Sequence, residues 1–178
     1  MTVEARSPFA GRTEELATIG GAEVPFLAQA SLRMDPIAAS LLPFSLPLAP
    51  NTWERGPTKE ALWLGPDEWL LVGSPGSERD IVVELDAALV GEPHSVVDVS
   101  ANRLAVDLTR PDALDRLSRG CSLDLHPREW REGMCAQTLL ARVPVILQQR
   151  ADATRILVRP SFANYILDWL TRATTADR

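Results

Sequence analysis

Pairs of short apolar runs, separated by single stretches of helical periodicity, recur along the chain and restrict its fold more than any other feature. The clearest pair is Ala61–Leu64 and Trp69–Val72, which flank the tetrapeptide GPDE at residues 65–68. Proline at the second position presets φ for a type I turn, and the aspartate beside it suits the same turn. This segment therefore predicts a β-hairpin.

The same rhythm continues on both sides of this hairpin. Val96–Val99 and Leu104–Leu108 alternate apolar with polar residues and predict a second hairpin. A further strand is predicted over 24–34, two or three strands over 134–149 and 155–158, and helices over 36–42, 77–91, 110–119 and from Ser161 onward. Hairpins alternating with single helices are typical of an α+β protein in which helices pack on antiparallel sheets. We predict that fold class for one domain over residues 24–178, and the repeated order raises the hypothesis of two related halves, 24–93 and 94–173.

Two segments lack a regular pattern. Residues 1–23 show little periodicity and contain Gly11, Gly20 and Gly21, so we predict an extended N-terminal arm. Four prolines within residues 43–57 exclude a helix or a central strand there and predict a long apolar loop. Long apolar loops usually cover a core edge or contact another molecule, so this loop and the arm are candidates for partner contact.

Charge and hydropathy exclude several classes of protein. With 18 basic residues against 24 acidic ones, the net charge is −6, which argues against a nucleic-acid-binding protein because phosphate contacts need a basic face. Apolar runs are too short for a membrane span, and residues 1–16 lack the apolar stretch of a signal peptide. We therefore expect a cytoplasmic protein with no membrane partner, in which Cys121 and Cys135 stay reduced.

The sequence contains few groups suited to catalysis. His94 and His126 are its two histidines, and no serine or cysteine lies in a nucleophile-elbow pattern. The glycines form no phosphate-binding loop, so we expect this chain to bind no flavin or nicotinamide by itself. Cys121, His126 and Cys135 suggest a metal site, but their spacing is wider than in most zinc sites, and we expect no metal.

The acidic residues that attract attention have ordinary interpretations. Asp67 and Glu68 are neighbours on a turn, where we expect both side chains to face solvent. Asp98 and Asp107 alternate with apolar residues, which predicts that they lie on the outer face of their strands.

Tryptophans are the strongest candidates for contact with another protein. There are five in 178 residues, and tryptophan is the residue type most enriched at binding hot spots. Trp169 falls on the apolar face of the last helix and is assigned to the core. Trp53, Trp63, Trp69 and Trp130 are assigned either to the core or to a partner interface, and the sequence alone does not separate these roles.

Several motifs resemble one family of proteins. They are SPFAG at 7–11, LPLAPNT at 46–52, WLGPDEWLLV at 63–72, VVDVSANRLAVDLTRPDALDRLSRGCSLDL at 96–125 and CAQTLLARVPVILQQ at 135–149. Together they resemble the gamma subunit of heterotetrameric sarcosine oxidase. The second half is also similar to the wider superfamily of the glycine-cleavage aminomethyltransferase T-protein and the YgfZ-type folate-binding proteins.

The resemblance implies a noncatalytic small subunit. FAD, FMN, NAD and tetrahydrofolate would then be bound by larger, flavin-bearing partner subunits, and none by this chain. The assembly would oxidatively demethylate sarcosine to glycine, transfer the one-carbon unit to tetrahydrofolate and produce hydrogen peroxide. The alternative, suggested by the T-protein-like second half, is a free-standing folate-binding or aminomethyl-transfer module, although no T-protein catalytic acid can be matched in this sequence.

Overall fold

The computed structural model describes residues 5–175, and its strands form two five-stranded antiparallel sheets covered by helices. The strands are β1 (Gly21–Val24), β2 (Ala28–Met34), β3 (Trp53–Arg55), β4 (Lys59–Gly65), β5 (Glu68–Gly73), β6 (His94–Asp98), β7 (Leu104–Leu108), β8 (Cys135–Leu140), β9 (Val143–Gln149) and β10 (Thr154–Val158). The α-helices are α1 (Thr13–Thr18), α2 (Glu78–Ala88), α3 (Ala113–Ser118) and α4 (Ala163–Thr175), and short 3-10 helices cover Pro36–Leu41, Ser100–Asn102 and Pro160–Phe162. The predicted α+β class is confirmed.

The two sheets have equivalent strand orders. Sheet I has the order β3-β4-β5-β2-β6, and sheet II has the order β8-β9-β10-β7-β1. In each sheet a three-stranded meander is followed by a strand from earlier in the chain and then by an edge strand. The edge position that β6 fills in sheet I is filled in sheet II by the N-terminal strand β1, which pairs with β7.

The sheets pack face to face, so the molecule has four layers of helix, sheet, sheet and helix. Alternation along β5 shows the arrangement: Trp69 and Leu71 face α2, while Leu70 and Val72 face sheet II. Sheet II buries its other face against α1, α3 and α4. The central strands of both sheets are therefore apolar on two faces, and most polar positions between the sheets occur at the ends of the strands.

The N-terminal segment differs from the predicted extended arm. Within its described part, α1 forms at residues 13–18, and Phe9, Leu16 and Ile19 are buried against sheet II. Elements of six and four residues are too short for their periodicity to stand out in a sequence. Residues 1–4 lie outside the described residues, and the domain boundary at residue 23 stays a prediction.

The second predicted hairpin is wrong. β6 pairs with β2 in sheet I, whereas β7 pairs with β1 and β10 in sheet II. The link between them crosses from one sheet to the other through the 3-10 turn at Ser100–Asn102, and the Ser100 Oγ accepts a hydrogen bond of 2.9 Å from the Gln29 backbone N–H.

Residues 24–34, predicted as one strand, and residues 134–149, for which one strand or two were both open, are each divided by a turn. The backbone turns at Phe26, which has φ of 54°, so that β1 and β2 enter different sheets. Ala141 and Arg142, with φ of 50° and 70°, form the tight turn between β8 and β9. Positive φ at both central residues suits the twist of a hairpin, although Asn and Gly usually occupy these positions.

Helix α4 closes the helical layer over sheet II. It buries Ile166, Leu167 and Leu170, while Phe162 and Tyr165 near its start are 37% and 45% exposed. None of the helices in residues 5–175 is long and apolar enough to cross a membrane.

Candidate functional site

The two histidines have local partners and no nucleophile beside them. The Nδ1 of His94 lies 2.8 Å from the Glu92 carbonyl oxygen, and its Nε2 lies 3.2 Å from Asp86 Oδ1. The hydrogen bond to Glu92, and more weakly the Asp86 carboxylate, raise the pKa of His94 against a small opposing effect of burial. His126 is exposed, and its Nδ1 accepts a hydrogen bond of 3.2 Å from a backbone N–H two residues along. These contacts stabilise local turns, and neither imidazole ring lies next to a hydroxyl or a thiol of residues 5–175 that it could activate.

The side chains of Cys121, His126 and Cys135 do not converge. The Cys121 Sγ lies 3.7 Å from the Thr138 hydroxyl, and the Cys135 Sγ donates to the Thr52 carbonyl at 3.2 Å. Burial raises the pKa of Cys135 to about 12, although a backbone hydrogen bond opposes it slightly, so this thiol stays protonated. Among residues 5–175 no group of three or more His, Cys, Asp or Glu side chains is arranged to hold a metal ion.

The four candidate interface tryptophans lie mainly inside the isolated chain. Trp69 is fully buried, and Trp53 and Trp130 are 9% and 4% exposed. The indole N–H groups of Trp53 and Trp130 both donate to Gln149, at 2.8 Å to its carbonyl oxygen and 3.0 Å to its side chain. Trp63 is half-buried and retains accessible surface. The interface role of these residues stays a prediction, and Trp63 is the one among the four that is not buried.

The acidic residues of the sequence analysis have definite partners. Asp67 and Glu68 contact Arg33 at 3.4 and 2.7 Å, so the GPDE turn holds a cation from the neighbouring strand. Asp98 is exposed, as predicted, and accepts hydrogen bonds from Ser100. The prediction for Asp107 is wrong, because its side chain bonds Arg155 between the two sheets.

A polar network at one end of the inter-sheet layer is the main cluster of charged side chains in the interior. Glu60 reaches from β4 of sheet I and accepts hydrogen bonds of 2.7 and 2.9 Å from Arg150 Nη1 and of 2.9 Å from Gln148 Nε2. Arg155 lies 3.7 Å from the same carboxylate and makes a two-pronged ion pair with Asp107, at 2.7 and 2.8 Å. The network therefore joins sheet I to sheet II through a single carboxylate.

The electrostatics of this network favour a fixed charge on Glu60. Burial acts to raise the pKa of Glu60, but the hydrogen bonds from Arg150 and Gln148 outweigh it and hold the pKa below its ordinary value. Burial similarly acts to lower the pKa of Arg155, and the hydrogen bond and charge of Asp107 more than offset it. A carboxylate held ionised by arginines is a poor general base, so this cluster is suited to binding and to joining the sheets.

An open groove of about 270 Å³ lies over the network, between Pro57 and Pro75. Arg55 and Arg150 line it, and their guanidinium carbons lie 5.7 and 5.4 Å from the centre of the Trp53 ring. Cations at this distance are attracted to the face of an indole ring. The groove thus exposes the Arg55 guanidinium group to solvent, while the Arg150 side chain, 13% exposed, lies against the Glu60 carboxylate.

Sequence reasoning did not identify Glu60, Arg150 or Arg155. Glu60 and Arg155 follow the alternation of their strands and Arg150 directly follows β9, but the sequence gives no sign of which strands of different sheets face each other. A usable signal was the charge at an inward position of an otherwise apolar strand, as in the run Thr154–Val158.

Comparison with known proteins identifies close relatives. The model of the family described as "Sarcosine oxidase, gamma subunit family" matches residues 33–176. "Sarcosine oxidase subunit gamma" from Corynebacterium sp. (strain P-1) is 42% identical over 113 residues, and the protein of the same name from Arthrobacter sp. is 41% identical over 115 residues. These alignments cover 63% and 64% of this chain and 55% and 56% of the relatives. The chain thus spans about half the length of the curated relatives that it matches.

Solved structures give the same picture for the fold. A chain of the heterotetrameric sarcosine oxidase from Corynebacterium sp. U-96, in complex with pyrrole 2-carboxylate, superposes with a TM-score of 0.86 and 32% identity, over 97% of this chain and 95% of that one. The glycine cleavage system aminomethyltransferase T from Bartonella henselae has a TM-score of 0.65 and 15% identity, over 89% of this chain and 48% of that one. The second likeness concerns the fold alone.

Proposed function

The chain belongs to the sarcosine oxidase gamma subunit family, and we propose that it is the noncatalytic gamma subunit of a heterotetrameric sarcosine oxidase. The observation that carries this proposal is the family match over residues 33–176, which takes in both sheets except for β1 and the first part of β2. In this role the chain supports assembly of a complex that oxidatively demethylates sarcosine to glycine.

The cofactors of the reaction belong, in this proposal, to the partner subunits. FAD, FMN, NAD and tetrahydrofolate are bound by larger, flavin-bearing chains, where the one-carbon unit passes to tetrahydrofolate and hydrogen peroxide forms. Two properties of this chain support that division of labour. Its sequence has no glycine-rich nucleotide-binding loop, and its best-placed interior carboxylate, Glu60, is held ionised by arginines.

The chain's own contribution is a rigid body with exposed contact groups. The inter-sheet network fixes the two sheets relative to each other, and the groove above it exposes Arg55, which stacks on Trp53. Arginine stacked on an aromatic ring is enriched at protein interfaces because little side-chain entropy is lost when it binds. A standard interface needs about 800 Å² from each partner, which one broad face of this chain can supply.

Coexpression tests the proposal directly. The chain carries an affinity tag and is produced together with the neighbouring reading frames of its operon. We expect yellow, flavin-bearing larger subunits to copurify in a fixed ratio, and the purified complex to oxidise sarcosine with formation of hydrogen peroxide. A chain that elutes alone with every candidate partner would contradict the assembly role.

Experiments on the isolated chain test the alternative function. The likeness to aminomethyltransferase T motivates calorimetry of the isolated chain with a reduced folate. Micromolar binding, or turnover of an amine by the isolated chain, would favour the free-standing folate-binding or aminomethyl-transfer module. No heat of binding and no turnover are the results expected of a noncatalytic subunit.

A further inference from the structure

The layer between the two sheets has a second polar end, opposite the Glu60 network. Side chains two residues apart along β7 and β10 point into this layer, and the backbone stays extended for one residue beyond each strand, at Arg103 and Arg159. The inward positions are Arg103, Ala105 and Asp107 on β7, and Arg155, Leu157 and Arg159 on β10. Two adjacent strands therefore present a charged residue at both ends of an apolar middle.

The charges match at one end of these strands and clash at the other. Arg155 is the cross-strand partner of Asp107, and the two side chains form the ion pair described above. At the other end Val158 pairs with Leu104, so the next residues outward place Arg159 beside Arg103. Like charges on directly opposite residues destabilise an antiparallel pair.

The two arginines lack a counter-ion within the described part of the chain. Neither guanidinium group forms a hydrogen bond or an ion pair with any of residues 5–175. Burial, and then the charge of Arg159, lower the pKa of Arg103, and Glu68 opposes this only from a distance. The Glu68 carboxylate is itself bound by Arg33 at 2.7 Å.

Access to the pair is open from one side. Arg103 is half-buried, and Arg159 is exposed just before the 3-10 helix at Pro160–Phe162. Arg33, also exposed, adds a third guanidinium group through its contact with the Glu68 that acts on Arg103. Two like charges that lie side by side at an accessible position are typical of a binding site, because a bound ligand of opposite charge can neutralise their repulsion.

We propose that Arg103 and Arg159 form a binding site for an oxyanion of the carboxylate or phosphate class. The planar guanidinium groups each offer paired N–H donors that match the oxygens of such an anion, and the anion supplies the missing negative charge. The anion comes either from a free small molecule or from an acidic side chain of another subunit. The site itself does not depend on the proposed function.

Binding of a free anion is measured on the full chain at constant ionic strength, with inorganic phosphate and, separately, succinate as probes. The readouts are the arginine Nε–Hε NMR signals and the midpoint of thermal unfolding. We expect saturable shifts of the Arg103 and Arg159 signals and a rise in the midpoint. Arg103→Gln and Arg159→Gln should each weaken phosphate binding about tenfold or more, the change expected for loss of a charge-assisted hydrogen bond.

The matched control is Arg79→Gln, which removes an exposed arginine on α2 and should bind phosphate as the unchanged chain does. Folding is checked in anion-free buffer. There Arg159→Gln should unfold at the same temperature as the unchanged chain or higher, because it relieves the repulsion between the arginines.

The second arm tests another subunit as the source of the anion, using the coexpressed complex. Arg159→Glu should reduce the yield of larger subunits recovered through the tagged chain, while Arg79→Glu leaves it unchanged. Phosphate or succinate binding that both glutamine variants lose supports a free ligand, and a defect confined to the complex supports an acidic side chain. The inference is overturned if the Arg103 and Arg159 variants match their Arg79 controls in both arms.

Discussion

Replacing Glu60 with glutamine should lower the free energy of unfolding, because the Glu60 carboxylate joins the two sheets. The side chain is 13% exposed and is contacted by Arg55 at 3.0 Å, Arg150 at 2.7 Å and Arg155 at 3.7 Å. Glu60→Gln keeps the shape but removes the charge and places an amide N–H₂ group among cationic donors. Breaking a buried ion pair costs 3–5 kcal/mol, and because the groove admits solvent we expect the lower limit, about 3 kcal/mol.

This loss should depend on pH with a definite sign. The pKa of Glu60 in the folded chain lies below its ordinary value of 4.5, so its stabilising contribution is present above that value and disappears as the pH falls through the folded pKa. The difference in unfolding free energy between the unchanged chain and Glu60→Gln is therefore largest near neutral pH and narrows below pH 4.5.

Urea unfolding followed by tryptophan fluorescence, at neutral pH and at acidic pH, measures both effects. A loss of about 3 kcal/mol corresponds to a fall of roughly 6–12 °C in the thermal midpoint for a chain of this size. The control is Glu54→Gln on the neighbouring strand β3, an exposed carboxylate whose replacement should change stability by less than about 0.5 kcal/mol. A Glu60→Gln effect no larger than that of the control, or one that is the same at both pH values, would refute the electrostatic account.

Three further predictions concern packing in the interior. Iodoacetamide at pH 8 should label the half-buried Cys121 in the folded chain, while the fully buried Cys135, with its pKa of about 12, should react only after denaturation. Equal labelling rates of the two thiols in the folded chain would contradict the burial of Cys135. Gly120→Ala should cost about 1–3 kcal/mol in a urea titration, because the new Cβ would lie 2.5 Å from the Trp169 ring, and Trp169→Leu in the same chain should cancel most of that cost if the clash is its cause. Trp69→Phe should lower the unfolding free energy by about 2–3 kcal/mol, since it leaves a cavity and an unbonded loop carbonyl, and a neutral result would contradict full burial of this ring.

The local elements that sequence reasoning identified best are those with strong turn or capping signals. The hairpin around GPDE appears as β4 and β5, with strands slightly longer than predicted. Asp35 and Pro36, which are typical of a helix start, do begin the helix predicted over 36–42: Asp35 accepts a 2.9 Å bond from the Ile37 N–H, although that helix is of the 3-10 type. Ser77, just before α2, instead donates its hydroxyl to the Ser74 carbonyl.

Pairing between distant strands was beyond the reach of the sequence pattern. Ala141 and Arg142 turn the chain with positive φ, yet neither residue type favours such a turn, so the sequence does not decide whether residues 134–149 form one strand or two. The assignment of β6 and β7 to different sheets depends on partners more than 60 residues away in the chain. Alternation locates a buried face, but it does not identify the element that covers it.

The candidate sites show the same limit. Asp107 is recognisable in the sequence but its partner Arg155 is not, because cross-strand register decides whether a charge lies opposite an unlike or a like charge. The sequence also left the tryptophans between a core and an interface role, because the burial of Trp53 and Trp130 depends on Gln149, a residue with no distinguishing sequence signal. The family resemblance, in contrast, was carried by contiguous motifs and is confirmed over most of the chain.

The position of β1 has a consequence for how the protein is made. Sheet I is contiguous in the chain from β2 to β6 and can close as soon as residue 98 leaves the ribosome. Sheet II must wait, because its first-synthesised strand, β1, acquires a neighbour only when β7 emerges, and β7 in turn lacks its second neighbour until β10 follows. Moving the segment that contains β1 to a place after α4 would give a circular permutant in which the strands of both halves follow the same order along the chain. Each half could then fold as it is synthesised, without a strand that waits for a distant partner.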